Sequence, residues 1–218
     1  MQASYSIGCL SQKGGVLKST LSEALTVAFT LNGWLVKLID LDPKQATSSD
    51  WHKRRLAAGH EPVMPCQLFG SLAAALRQAG EADLYVFDGA PHATTDTAEI
   101  AKLCDMVVLP TGLTIDDLSP AVTLANTLTD KHGIPAEKIV FALTKAGSSK
   151  AEVADAREYL RKTRFHTLDG AIQLKPAFSR ALDAGLSLIE TPFKGPRAQA
   201  TEVINAAITK FTELTAAS

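Results

Sequence analysis

The chain has 218 residues, 46% of them hydrophobic, and a formal net charge of −1. That length supports one sizeable α/β domain, the apolar runs are too short for a transmembrane helix, and the near-zero charge gives no general sign of a nucleic-acid binder. Three widely spaced cysteines, Cys9, Cys66 and Cys104, lack metal-ligand spacing and read as buried thiols of a reducing cytosol.

An apolar run at Ile7 to Leu10 forms the first strand, so close to the start that no signal peptide is expected. It leads into Ser11-Gln12-Lys13-Gly14-Gly15-Val16-Leu17-Lys18-Ser19-Thr20. A helical pattern follows to Asn32, with Leu21, Leu25, Ala28, Phe29 and Leu31 at helical spacing and Gly33 as its stop. Strand, glycine-rich turn and helix is the context of a phosphate-binding loop. Adjacent glycines let the backbone aim N–H groups inward, and the helix start adds its unpaired N–H groups and positive dipole end. Lys18 suits the β- and γ-phosphates, and the Ser19 hydroxyl suits Mg²⁺. The match to G-x-x-x-x-G-K-[ST] is incomplete, because Gln12 and Leu17 stand where glycines are usual. A leucine resists positive φ, so position 17 is either not left-handed or strained. A plain Gly-Gly turn with two chance lysines is the alternative reading.

A short strand at Trp34 to Ile39 ends in Asp40-Leu41-Asp42-Pro43. Carboxylates two apart in extended chain point to one side, although a strand-ending Asp-x-Asp-Pro turn accounts for them as well. A helix is expected over 47–58, a strand over 63–69 and a short helix over 71–78. A strand at 84–87 runs into Asp88-Gly89-Ala90-Pro91. A carboxylate after an apolar strand is the Walker B arrangement for Mg²⁺, with a Gly-Pro turn as the alternative. His92 follows and is given no role. Then come a helix at 94–103, a strand at 106–109 stopping at Pro110, a helix at 118–131, a strand at 139–143 and a helix at 151–162. This alternation predicts an α/β fold: a mainly parallel twisted sheet with helices on both faces, binding ligand at the strands' carboxyl ends.

Charge is uneven. Residues 1–144 hold 11 Lys and Arg against 15 Asp and Glu, whereas residues 145–218 hold 11 against 8. This asymmetry is mild, and the basic residues of the second part, Lys175, Arg180, Lys194 and Arg197 among them, read as a solvated face; non-specific DNA binding needs local basic surface rather than global charge. The terminal helix, near 198–214, has Val203, Ile204, Ala207, Ile208, Phe211 and Leu214 on one face. Its mixed polar face suits docking on a core rather than a membrane surface.

The run Lys-Gly-Gly-x-x-Lys-Ser-Thr resembles the deviant Walker A box of the ParA/MinD family of dimeric P-loop ATPases. Asp40-Leu41-Asp42-Pro43 with Gln45 is similar to that family's Asp-x-Asp-Pro-Gln box, here with Lys44 inserted. Asp88 to Pro91 is similar to its Asp-x-Pro-Pro. The resemblance runs in order from about Ser4 to Thr215 and implies ATP and Mg²⁺ as cofactors. It implies a nucleotide site of Lys13, Gly14, Gly15, Val16, Leu17, Lys18, Ser19 and Thr20, with Lys13 reaching a partner's nucleotide across a homodimer. It assigns Asp42 to the attacking water, Ser19, Asp40 and Asp88 to Mg²⁺, and Lys175, Arg180, Lys194 and Arg197 to non-specific DNA. The terminal helix argues against the MinD branch, and the short N-terminus suits the single-domain ParA form. That form implies a cytoplasmic, nucleoid-associated switch with no membrane anchor. ATP joins two subunits on DNA, and a centromere-binding or cargo adaptor protein stimulates hydrolysis. Two other classes stay open: a metabolic enzyme of the same architecture, such as dethiobiotin synthetase, and a nucleotide-binding module that does not hydrolyse.

Overall fold

The computed structural model describes residues 4–90 and 95–216. Within them the chain alternates as expected. Strands β1 (Tyr5–Cys9), β2 (Val36–Asp40), β3 (Cys66–Leu68), β4 (Leu84–Asp88), β5 (Met106–Thr111), β6 (Ile139–Leu143) and β7 (His166–Thr167) form one sheet in the order β3-β2-β4-β1-β5-β6-β7. Every pairing is parallel. The helices are α1 (Lys18–Leu31), α2 (Thr47–Ala57), α3 (Leu72–Gln78), α4 (Thr95–Leu103), α5 (Ile115–His132), α6 (Lys150–Arg161), α7 (Pro176–Asp183) and α8 (Lys194–Ala216).

Alternate residues of each strand feed opposite cores, which is why the strands read as continuous apolar runs. On one face Ile7, Leu38, Val86, Val108 and Val140 meet α1, α7 and α8. On the other Ile39, Phe87, Val107 and Phe141 meet α3, α4, α5 and α6. An aromatic cluster ties α8 down: Phe211 lies 5.3 Å from Phe29 and 5.8 Å from Tyr5, centroid to centroid, both edge-on. The terminal helix is thus docked on a core along the predicted face, with Val203, Ile204, Ala207 and Phe211 buried.

Several boundaries differ from the sequence reading. Strand β5 continues through Pro110, because β1 pairs with β5 only as far as Val108 and Pro110 lies beyond that ladder, opposite Ala142. Strand β3 shrinks to three residues after Pro62 and Pro65, which lack the N–H a ladder needs. Helix α5 starts at Ile115, placing Asp116 and Asp117 in a first turn whose dipole favours carboxylates. The segment after Lys175 is a helix, with Pro176 at its first position. Strand β7 was not anticipated; two residues carry no readable periodicity.

Candidate functional site

The strand order puts the three motifs side by side. Strand β4 lies between β1 and β2, with Asp88 in register with Cys9 on one side and Asp40 on the other. The loop after β1 and both acidic strand ends therefore share one edge of the sheet.

The loop delivers its backbone to a cleft of about 240 Å³ lined by Lys13, Gly14, Gly15, Leu17, Lys18, Ser19, Thr20, Asp42, Gln45 and Thr47. Helix α1 begins there with no side-chain cap and no acid in its first turn, so its leading N–H groups are free for an anion. Val16 is buried beneath, its carbonyl accepting from Thr144 Oγ1 at 3.1 Å. Leu17 adopts φ 63°, ψ 29°, the left-handed conformation a glycine would take freely. For a leucine this costs about 1–2 kcal/mol, so the loop is strained at this position. Leu17→Gly is expected to shift nucleotide affinity by less than roughly fivefold, about 1 kcal/mol, in a calorimetric titration. A hundredfold gain would mean that the natural loop is crippled.

Lys18 is buried and bonds Asp88 Oδ1 at 2.5 Å, and Ser48 Oγ donates to the other Asp88 oxygen at 2.8 Å. Asp40 is fully buried; its oxygens accept the backbone N–H groups of Asp42 and Ser49, each at 3.0 Å. Burial pushes the Asp40 carboxyl up, and those two N–H groups pull it back. Asp42, unlike Asp40, lines the cleft. The two carboxylates expected on one side are therefore split. The chain leaves the strand at Asp40, which is tucked under the loop, while Asp42 stands at the surface of the site.

Sequence reasoning missed Ser48, Ser49, Glu23 and Asp117. Glu23 is an acid inside the apolar stripe of α1, and that mismatch was the available signal. It is 2% exposed and its Oε2 has no partner among the described residues. Burial, reinforced by Asp88, pushes its carboxyl well above the usual range. A raised folded value means that its contribution to stability is complete below the unfolded value and is lost as pH rises through the folded one. Glu23→Gln cannot ionise, so it should melt a few degrees higher than the parent at neutral and alkaline pH. The gap should close below about pH 4, the range of a free carboxyl. A constant offset across a pH series of thermal melts would rule out ionisation as the cause.

Asp117 had no sequence signal, being 104 positions from its partner. Lys13 bonds its Oδ1 at 3.1 Å from a half-exposed position. Gly112 makes this possible, because a β-carbon there would fall 2.1 Å from Asp117 Oδ2. Arg180, Lys194 and Arg197 are exposed and Lys175 is half-buried. None of the four makes an ion pair with a described residue. Cys9 and Cys104 are buried and free, and Cys66 is half-buried. Burial pushes the thiols of Cys9 and Cys66 to about 12, so neither is a nucleophile. Pro91 and His92 lie outside the described residues.

A nucleoside triphosphate with Mg²⁺ fits this donor set. A Cβ on Gly14 or Gly15 would meet nothing within 4 Å, so phosphates can approach the backbone closely. Ser19 and Asp42 bring hard oxygen to the cleft, while the oxygens of Asp88 and Asp40 are bonded to Lys18, Ser48 and backbone N–H groups; Mg²⁺ takes few protein ligands beside phosphate and water. A strand, an anion-binding loop and a buried lysine–carboxylate pair at the carboxyl edge of a parallel sheet define a P-loop nucleotide-binding fold.

Residues 7–189 match the CobQ/CobB/MinD/ParA nucleotide binding domain, and the chain belongs to that family. Among curated proteins none matches it. Solved structures show the same fold at low identity. MinD of Pyrococcus horikoshii complexed with Mg-ADP is 17% identical with a TM-score of 0.72, over 94% of this chain and 95% of that one. A plasmid partition protein of Borrelia burgdorferi bound to AMPPNP is 17% identical with a TM-score of 0.70, over 95% and 100%. A Cyanothece McdA variant in complex with ATP is 16% identical with a TM-score of 0.71, over 95% and 97%. No helix among the described residues is long and apolar enough to cross a membrane.

Proposed function

We propose that this chain is a single-domain, ParA-like ATPase that dimerises on ATP, binds DNA without sequence preference and partitions or positions a plasmid or chromosome. The observation that carries it is the pair of lysines at one cleft: Lys18 buried at its base beside Asp88, and Lys13 half-exposed at its mouth on Asp117. A pocket serving only its own nucleotide has little use for a second, outward lysine. Released from Asp117, Lys13 is free to reach the phosphates held by a second copy. Lys13, Gly14, Gly15, Val16, Leu17, Lys18, Ser19 and Thr20 hold the nucleotide in this reading. Ser19 and Asp88, with Asp40 through the water shell, support Mg²⁺, and Asp42 orients the attacking water. Bound Mg²⁺ would offset charge on the phosphates. Hydrolysis then returns the dimer to monomers, and an adaptor on the cargo times that step. The protein works in the cytoplasm, on the nucleoid.

Exposed Arg180, Lys194 and Arg197, with Lys175, supply the DNA surface. Arg180→Ala is expected to weaken DNA binding by the ATP-locked dimer equally on two unrelated sequences, while ATP binding and dimerisation survive. Counterion release makes the logarithm of affinity linear in the logarithm of salt, and each lost phosphate contact shallows the slope by about one. An unchanged slope would clear Arg180 and move attention to Lys175, Lys194 or Arg197. No DNA binding by the parent at low salt would favour the small-molecule enzyme instead.

A further inference from the structure

We infer that α2 is the arm through which the state of the phosphate site reaches the basic segment, so that DNA affinity follows nucleotide state; the DNA half of this rests on the function proposed above. The head of α2 lies on the acids of the site. Ser48 Oγ donates to Asp88, and the Ser49 N–H donates to Asp40. Asp88 also holds Lys18. A triphosphate draws Lys18 toward itself, and a cation on the Asp88 oxygens competes with the Ser48 hydroxyl. Loading the site therefore rewrites the contacts that hold the head of α2.

The tail of α2 is clamped to residues 182–190, which continue directly from α7 and its Arg180. Trp51 Nε1 donates to the Leu186 carbonyl at 3.2 Å, and Arg54 Nε to the Leu182 carbonyl at 3.3 Å. Arg55, with no exposed surface, makes a bidentate pair with Glu190, both bonds 2.9 Å, and donates to the Gly185 carbonyl at 3.2 Å. Just past the helix, His60 Nε2 lies 2.9 Å from the Ala184 carbonyl. The two backbones touch: a β-carbon on Gly185 would sit 2.5 Å from the Arg55 nitrogen. Glu190 in turn accepts from the Ser187 N–H and hydroxyl, so the segment is itself a closed unit.

An eleven-residue helix is about 16 Å long, and packed helices move as units rather than compress. A shift at Ser48 thus displaces residues 182–190, and with them α7 on one side and the start of α8, with Lys194 and Arg197, on the other. The device has two sites and one connecting element, and the contacts of that element to Asp88 and Asp40 are those a loaded site would compete for, which is what coupling requires.

Hydrogen exchange on the parent chain, with and without Mg²⁺ and AMPPNP, tests the arm itself. Amides of 182–190 are expected to change exchange rate by at least about fivefold, a low-end coupling. A change confined to the phosphate loop and residues 42–49 would overturn the inference. The second measurement is the ratio of DNA affinities with Mg·AMPPNP and Mg·ADP. Trp51→Phe combined with His60→Ala removes two clamp bonds without stranding a charge and should reduce that ratio severalfold, with AMPPNP affinity unchanged. An intact ratio would overturn the inference. Arg55→Met with Glu190→Met removes the buried pair together, a change often tolerated, and should reduce the ratio further. If exchange at 182–190 responds but the parent binds no DNA, the arm stands and the DNA reading falls.

Discussion

Lys18→Ala is expected to reduce ATP affinity by at least about a hundredfold, since it removes several charge-assisted bonds of about 1.5–3 kcal/mol each. The lysine is held on Asp88 at 2.5 Å and is buried, so the site keeps one positive charge ready at the start of α1. Phosphates offer a stronger partner than one carboxylate, and the uncapped N–H groups of α1 add to the attraction. The variant has a second consequence. Removing one member of a buried pair strands the other, at about 3–5 kcal/mol. Affinity is therefore measured by titration calorimetry at a temperature where circular dichroism shows a folded chain. Lys18→Arg is the companion variant. It keeps the charge beside Asp88 and the fold, yet its planar fork does not reproduce an ammonium point charge, and binding should still fall at least tenfold. If both variants bind ATP like the parent, the phosphate-loop assignment is wrong.

Asp42→Ala is expected to bind ATP and dimerise but to turn it over about 10²–10⁴-fold more slowly, the scale of a general base or water-positioning carboxylate. The position favours a clean result. Asp42 lines the cleft, whereas the Asp40 oxygens are occupied by backbone N–H groups. The turn after Asp42 is held chiefly by its own carbonyl, which accepts from Ala46 at 2.7 Å and survives the substitution. Only the bond from the Gln45 N–H to the carboxylate, 3.2 Å, is lost. Single-turnover hydrolysis by the preformed dimer is the measurement. A rate within a few-fold of the parent would exclude Asp42 from the chemical step. Asp40→Ala should behave differently, by loosening the loop and lowering stability, because it leaves two buried N–H groups without acceptors.

The amino-acid order alone determined the alternating elements and the phosphate loop, for local reasons. Apolar runs such as 84–87 can only be strands buried on both faces, and Gly14-Gly15 followed by a helix start needs no distant partner to form an anion site. The same locality explains the misreadings. Pro110 reads as a stop until the ladder from β1 is seen to have ended at Val108. Leu17 could be judged only as a conflict between residue type and loop. The tertiary contacts decide it in favour of the loop, since Val16 is pinned by Thr144 and the conformation of Leu17 follows. What only the tertiary structure decided are the pairings at the sheet's carboxyl edge, Lys18 with Asp88, Ser48 with Asp88 and Lys13 with Asp117, and the pairing of Arg55 with Glu190 at the far end of α2. Each joins residues 40 to 135 positions apart. No periodicity encodes such a meeting; at the site it arises because parallel crossovers bring successive strand ends to one side, where a buried charge is costly unless it is paired.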